Sequence, residues 1–445
     1  MSITVDGIRR CLEGAIPATM ATSAADGTPN AAYLSQVEYV DPQHIALSYQ
    51  FFNKTRTNVL ANPRAQMLLA DPVTGATYRL DIEYLRTETE GALFERMKAK
   101  LAGIASHTGM AGIFKLLGSD VYRVHTIEQI GTAIEAPQPQ RSVLAALRKS
   151  SEQLHQCGDL DALFNCTLQL LQHEFAIEHA MILMLDHSAQ RLYAVASSGY
   201  ENSGVGGEIA LGTGVIGIAA QMRTPIRIGH MTSEYSYGRA IRAATAAAGF
   251  EQTLGTEIPL PGLPESRSQM AVPIAACTHL LGVLFVESPL DSRFSYDDED
   301  ALVALCAQLG LSMLQMQQPV EIESPPVAES PPLPSGQPIE IRYYAENASV
   351  FLDGDYLIKG VAGAIFWVLV QDFLAHGRRV FSNRQLRLDQ RIRLPELSDN
   401  LEARLILLTK RLAERNSCVR IEKCGRGQFQ LCVNRPLTLV AADTD

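Results

Sequence analysis

Between Gln317 and Pro338 the chain places seven prolines and almost nothing apolar to bury. Proline fixes φ and has no N–H to donate, so the run fits neither a helix interior nor a central strand. It reads as a semi-rigid polyproline II spacer whose ends separate by up to roughly 60 Å at about 3.1 Å per residue. A softer break lies at Ala136-Pro-Gln-Pro-Gln140. At 445 residues the chain is too long for one hydrophobic core, and the two breaks predict three domains. The expected boundaries are 1–133, 142–318 and 339–440, with 319–338 as the linker.

Composition limits what those domains can be. With 47% hydrophobic and 19% charged residues, the chain has the makeup of ordinary globular protein. Met1 to Arg10 has no apolar core of a signal peptide, and no later run approaches the roughly 20 apolar residues that span a bilayer, so a cytoplasmic location without membrane contact is expected. The cysteines at 11, 157, 166, 277, 306, 418, 424 and 432 include no C-x-x-C pair, which predicts reduced packing thiols over a zinc site or disulfide framework. The net charge of −10 is unevenly spread: residues 338–445 hold 16 Lys+Arg against 13 Asp+Glu, a balance of +3 that leaves −13 for residues 1–337. Only the tail is basic.

In the first segment, Ala18 to Ser23, Asn30 to Val40, His44 to Phe51, Ala65 to Ala70, Thr77 to Thr87 and Asp120 to Ile130 read as strands. A helix starting near Asn53 and stopped by Asn62-Pro63, and another from Gly91 to Ala105, interrupt them. Ala25-Asp-Gly-Thr-Pro-Asn30, Leu47-Ser-Tyr-Gln-Phe-Phe-Asn-Lys-Thr-Arg-Thr-Asn58 and Asn62-Pro-Arg-Ala65 together resemble the pyridoxamine 5'-phosphate oxidase-like split β-barrel. The resemblance implies that FMN is held by its phosphate where strand meets helix, through Ser48, Gln50, Asn53, Lys54 and Thr55, with Arg79 as a further cation. A helix N-terminus offers free N–H groups and a positive dipole end, which suits an anion. Related split barrels bind haem, for which His107 is the candidate ligand. The second strand, Ala31 to Tyr39, lacks the basic residues of the oxidase proper. No nucleophile–base pair is evident, so any catalysis would be the cofactor's.

The middle segment opens with an amphipathic helix, Ser142 to His155, followed by strands Phe175 to Leu185 and Arg191 to Ser197. Its glycines from Gly212 to Gly217 lack the G-x-x-x-x-G-K-[ST] of a phosphate loop. Gly-x-Gly-x-x-Gly, a short helix and Arg223-Thr-Pro-Ile226, then Ser268-Gln-Met-Ala-Val-Pro-Ile274, Leu281 to Ser288 and Phe294 to Asp300, resemble the GAF domain, an α/β sandwich. That resemblance implies a small ligand between the sheet and the region His230 to Pro264, where Tyr237, Arg239 and Arg242 are the candidate contacts. The helix Tyr296 to Gln317 carries Leu302, Leu305, Leu309, Met313 and Met316 near heptad spacing. It predicts either pairing with the Ser142 to His155 helix in a homodimer or packing on its own domain.

The last segment reads as strands Ile339 to Tyr344, Ser349 to Leu352 and Tyr356 to Ile358, helices Val361 to Ala375, one capped by Ser382, and Leu397 to Arg415, then a hairpin Val419 to Val433. This order resembles the winged-helix output domain of response regulators. The resemblance implies a third helix in the DNA major groove and a wing on the backbone. By position, Arg404, Lys410, Arg411 and Arg415 lie on that helix and Arg426 at the wing tip, with Asp399, Glu402 and Glu414 diluting the charge. The whole predicts a multidomain α+β one-component transcriptional regulator sensing a ligand or redox state. An FMN-dependent oxidoreductase regulated by its GAF domain and a signalling adaptor without DNA contact are the alternatives.

Overall fold

The computed structural model describes residues 3–14, 16–34, 36–49, 53–107, 115–134, 142–229, 258–317, 336–392, 401–415, 418–425 and 427–442. The first unit is one seven-stranded antiparallel sheet. It is built from β1 (Ala18–Ser23), β2 (Pro29–Leu34), β3 (Val37–Asp41), β4 (His44–Tyr49), β5 (Arg64–Ala70), β6 (Thr77–Glu88) and β7 (Gly118–Gln129) in the order β2-β1-β5-β6-β7-β4-β3. On β5, Ala65, Met67 and Leu69 point inward while Arg64, Gln66 and Leu68 face out, the period of two of a strand with one buried face. Helices α1 (Asn53–Ala61) and α2 (Ala92–His107) flank it.

Residues 30 to 40, expected as one strand, form two. Leu34 and Val37 are both buried although three apart, a spacing that a single period-two strand cannot supply. The halves therefore pair with different neighbours, β2 with β1 and β3 with β4, at opposite edges of the sheet.

The second unit contains α3 (Val143–Leu154), α4 (Leu160–His173), β8 (His179–Asp186), β9 (Arg191–Ser198), β10 (Glu208–Ala210), α5 (Gly214–Met222), β11 (Ile226–Ile228), β12 (Ser268–Ala276), β13 (His279–Ser288) and α6 (Tyr296–Gln317). Its sheet order is β10-β9-β8-β13-β12-β11. Alternation again sorts the faces. Ala180, Ile182 and Met184 of β8 join the core under α3, α4 and α6, whereas Met181, Leu183 and Leu185 join the one under α5. The glycines ahead of α5 serve the chain turn: Gly212 and Gly214 have φ of +78° and +61°, and a Cβ on Gly217 would lie 2.3 Å from the Ala210 carbonyl oxygen.

Helix α4 is absent from the sequence reading. Asp159 caps it by accepting from Ala162 N at 2.9 Å, and Leu160, Leu163, Phe164 and Leu171 bury its inner face. The buried Phe175 and Ile177, expected within the strand, precede it.

The third unit has two sheets. β14 (Ile339–Tyr344), β15 (Ser349–Leu352), β16 (Asp355–Ile358) and β20 (Leu437–Ala442) form the first, in the order β16-β15-β14-β20, with β20 parallel to β14. β17 (Val380–Ser382), β18 (Val419–Gly425) and β19 (Gln428–Val433) form the second, in the order β17-β19-β18. Between them lie α7 (Gly360–His376), α8 (Asn383–Leu388) and α9 (Leu401–Glu414). Ser382 caps α8 in a reciprocal capping box with Gln385, as its position predicted. Trp367 of α7 stacks on Tyr343 of β14, centroids 4.8 Å apart. The apolar core of this unit runs without a break into that of the second.

Candidate functional site

The strand-to-helix junction expected to hold a phosphate is built from β4 and α1. Ser48 is buried at the end of β4 and faces Ser119 in register on β7. Ser119 is fully buried and its Oγ finds no hydrogen-bond partner among the described residues. Asn53 opens α1, Lys54 is exposed in its first turn, and Thr55 is buried. The Thr55 hydroxyl accepts from Asn30 Nδ2 at 3.0 Å, Asn30 reaches Thr22 at 3.3 Å, and Asn58 reaches the same Thr22 hydroxyl at 3.0 Å. This buried amide–hydroxyl chain fixes α1 against β1 and β2, so the helix start is held rigidly toward solvent. Lys54 is also among the charges that hold the Asp26 carboxyl below its usual range, after the hydrogen bonds from Thr28.

The sequence reading overlooked Arg56 beside these residues. Its guanidinium donates to Asp120 Oδ1 at 2.8 Å and Oδ2 at 3.0 Å, reaches Thr87 at 3.2 Å, and lies 3.9 Å over the Tyr49 ring. Thr87 donates to Asp120 at 2.5 Å, and Tyr84 bonds Thr87 at 2.7 Å. Burial works to lower the Arg56 pKa, but Asp120 outweighs it and the net is up, so this cation is committed to the barrel. Arg79 lies elsewhere. It pairs with Glu128 at the far end of β6, eight residues from Thr87, or about 26 Å at 3.3 Å per residue. The structure thus brings Ser48, Asn53, Lys54 and Thr55 together and leaves Arg79 apart.

Does this cradle fit FMN? One cation, hydroxyls and free helix-start amides suit a phosphate. The space enclosed beneath them, lined by Met20, Leu34, Leu47, Tyr49 and Tyr122 among others, is about 10 Å³, room for one water. The phosphate end therefore fits, and this space is too small to take the ring system. Gln50 lies outside the described residues, and His107 closes α2 instead of standing in a loop. Among the described residues no cluster of three or more His, Cys, Asp or Glu side chains could hold a metal, and no helix is long and apolar enough to cross a membrane.

Barrel and middle unit meet across a buried charge cluster that spacing could not reveal. Arg227 of β11 lies 2.8 Å from Glu13 and 2.8 Å from Glu299, with its side chain 5% exposed. Tyr296 is sandwiched by Arg9 and Arg227, each 4.3 Å from its ring. Lys100 of α2 pairs with the buried Glu38 at 3.1 Å. Burial lowers the Lys100 ammonium but Glu38 and Glu299 outweigh it, and the net is upward. Burial raises Glu299 but Lys100 and Arg227 outweigh it, and the net is downward. For Glu13 burial wins and the net is upward.

The expected ligand contacts Tyr237, Arg239 and Arg242 lie outside the described residues, as does Arg426. Within the described part of this unit, Glu287 of β13 is 2% exposed and accepts from Leu263 N at 2.9 Å and Gln269 Nε2 at 3.4 Å.

Arg404 and Arg411 of α9 do not face solvent as expected of a groove-reading helix, whereas Lys410 is half-buried and Arg415, just past the helix end, is exposed. Arg404 and Arg411 are 5% and 7% exposed. Arg404 donates to Asp186 at 2.5 Å, Lys410 to the Val195 carbonyl at 3.2 Å, Arg411 to the Leu357 carbonyl at 3.2 Å and Arg415 to the Tyr356 carbonyl at 3.1 Å.

With this geometry in place, likeness to known proteins can be stated. Residues 5–125 match the family model Pyridoxamine 5'-phosphate oxidase, and residues 159–313 match the GAF domain. A solved GAF domain of Acinetobacter phosphoenolpyruvate-protein phosphotransferase is similar at 23% identity, over 40% of this chain and 97% of that one, with TM-score 0.31. Free methionine-R-sulfoxide reductase from Neisseria meningitidis is similar at 16% identity, over 40% and 93%, with TM-score 0.31. An FMN-binding protein from Syntrophomonas wolfei is similar at 20% identity, over 28% and 84%, with TM-score 0.24. The comparison with curated proteins returned no match. The chain thus carries a pyridoxamine 5'-phosphate oxidase-type domain followed by a GAF domain.

Proposed function

We propose that this chain is a cytoplasmic sensory regulator whose barrel binds FMN, whose GAF domain binds a small molecule, and whose tail is a winged-helix module for duplex DNA. The observation that carries the reading is the donor set at the start of α1: exposed Lys54, buried Ser48 and Thr55, and a helix N-terminus pinned by the Asn30–Thr22–Asn58 chain. Such a set binds a phosphate ester through charge and free amides. Flavin, when bound, supplies one- and two-electron redox chemistry. The chain's own residues hold and orient it, with Lys54 on the phosphate and Arg56–Asp120 stiffening the strands behind.

The Arg227–Glu13–Glu299 cluster supports a sensory role, because it couples barrel and GAF domain through charges that are unfavourable to separate. A homodimer through α3 and α6 completes the proposal: Leu144 and Leu311 are 78% and 57% exposed on those helices. The test is the absorption spectrum of the purified protein after incubation with FMN or haem and removal of free ligand. Flavin bands retained by the protein support the reading. A haem Soret band retained instead would move the barrel to His107 and haem, and a colourless protein would remove the redox input.

A further inference from the structure

On α9, Arg404, Leu407, Lys410, Arg411 and Glu414 recur at intervals of three and four and share a face. That face lies on the GAF domain. Arg404 Nη2 is 2.5 Å from Asp186 Oδ2, and its guanidinium stacks 3.9 Å over Tyr193 of β9. Lys410 Nζ, besides its bond to the Val195 carbonyl, lies 3.7 Å from Asp161 of α4. Ser203 donates to Glu414. Lys423 of β18 pairs with Asp159 at 2.9 Å, and Lys359 with Glu208 at 3.5 Å. Four carboxylates of the acidic domain thus meet four cations of the basic one.

The underside of the contact matters as well. The loop 203–207 lies between α9 and residues 258–263, the stretch that leads toward β12. A Cβ on Gly204 would be 2.1 Å from Pro261 Cδ, and one on Gly206, at φ +90°, would be 2.8 Å from Ile258 Cδ1 and 3.5 Å from Leu407 Cδ1. No slack separates the two sides, so a displacement of 258–263 reaches Leu407.

We propose that this contact is an autoinhibitory latch: the GAF domain holds Arg404 and Lys410 of α9 through Asp186 and Asp161, and these two cations meet an anionic partner only after the latch opens. The proposal rests on the DNA-binding reading above for the identity of the partner. It does not rest on it for the existence of the latch. Desolvated Arg404 occupies the position of a substitute for phosphate contact, with Asp186 supplying the anion.

The test uses the full chain with Asp186→Asn, Asp161→Asn and the double variant. The amide of Asp186→Asn keeps an acceptor oxygen for Ser188 N and Ala189 N, which the carboxylate meets at 2.9 Å, while losing the charge facing Arg404. Asp161 is 41% exposed, so its variant spares the fold. Hydrogen exchange of amides 401–414 is measured beside that of β12 and β13, and DNA affinity by fluorescence anisotropy. The latch predicts α9 exchange faster by about tenfold in the double variant and about twofold in Asp161→Asn, with β12 and β13 unchanged. It also predicts DNA affinity higher than the parent's by about tenfold. Faster α9 exchange with no DNA binding by any protein supports the latch and removes the DNA reading. Unchanged α9 exchange in all variants, or measurable DNA binding of equal affinity in parent and variants, overturns the latch.

Discussion

Replacing Arg227 by Met removes a charge while keeping most of an apolar stem, at the most deeply buried ionic contact between barrel and GAF domain. The side chains of Arg227, Glu13 and Glu299 are 5%, 4% and 11% exposed, and both N–O distances are 2.8 Å. Deleting one partner of such a group leaves uncompensated buried charge, at a cost of about 3–5 kcal/mol. For a unit of 150–250 residues this lowers the midpoint of the first thermal transition by roughly 6–20 °C. The deficit depends on pH, and its direction follows from the carboxylates. In the parent, Glu13 titrates above its ordinary 4.5 and Glu299 below it. Without Arg227 both move upward from their positions in the parent. A carboxyl whose folded-state pKa rises loses stability relative to the parent wherever it is ionised, and regains it as pH falls and it takes up its proton. The variant's deficit is therefore full at pH 7.5 and shrinks toward pH 4.5. Differential scanning calorimetry at the two pH values measures it. A midpoint within a degree of the parent at pH 7.5, or a deficit that grows on acidification, would refute the reasoning.

Three further outcomes are expected. Arg79→Ala leaves FMN affinity within about twofold, since its ion pair with Glu128 lies at the far end of β6; a loss of tenfold or more in an equilibrium titration would put the flavin elsewhere. Binding of the Asp186→Asn/Asp161→Asn variant to duplex DNA weakens with salt at a log–log slope of roughly −3 to −5, as for a handful of released counterions; a flat dependence would leave a protein-binding adaptor. Leu144→Asp with Leu311→Asp converts a dimer at tens of micromolar to monomer in sedimentation velocity, whereas a parent that is already monomeric removes the dimer.

What the sequence made legible follows from how local each signal is. The alternation in β5, the Ser382 cap and the glycine turn before α5 are written in neighbouring residues, and each was readable; the expected proline-rich linker 319–338 lies mostly outside the described residues. The split of residues 30–40 shows only as a three-residue spacing between Leu34 and Val37, too short a departure to outweigh a strongly strand-forming run. Helix α4 was legible as well, since Asp159 offers an N-cap and Leu160, Leu163, Phe164, Leu168 and Leu171 recur at helical spacing, a signal that the sequence reading missed. Charged residues were the least legible. Arg56, Arg227 and Arg404 look like solvated side chains in sequence, and only the fold brings Asp120, Glu13 and Asp186 to them from distant segments. The same separation in sequence hides the Arg79–Glu128 pair and the partners of Arg404 and Lys410.

The central claim is that a flavin phosphate is held at the start of α1. Titrating FMN into the full chain and following quenching of flavin fluorescence tests it, with Lys54→Ala beside the parent. The account predicts saturable binding of one FMN per chain and a loss of about 10–150-fold in the variant, the equivalent of about 1.5–3 kcal/mol for a charged hydrogen bond. No saturable binding by the parent, or equal affinity for parent and variant, would contradict it.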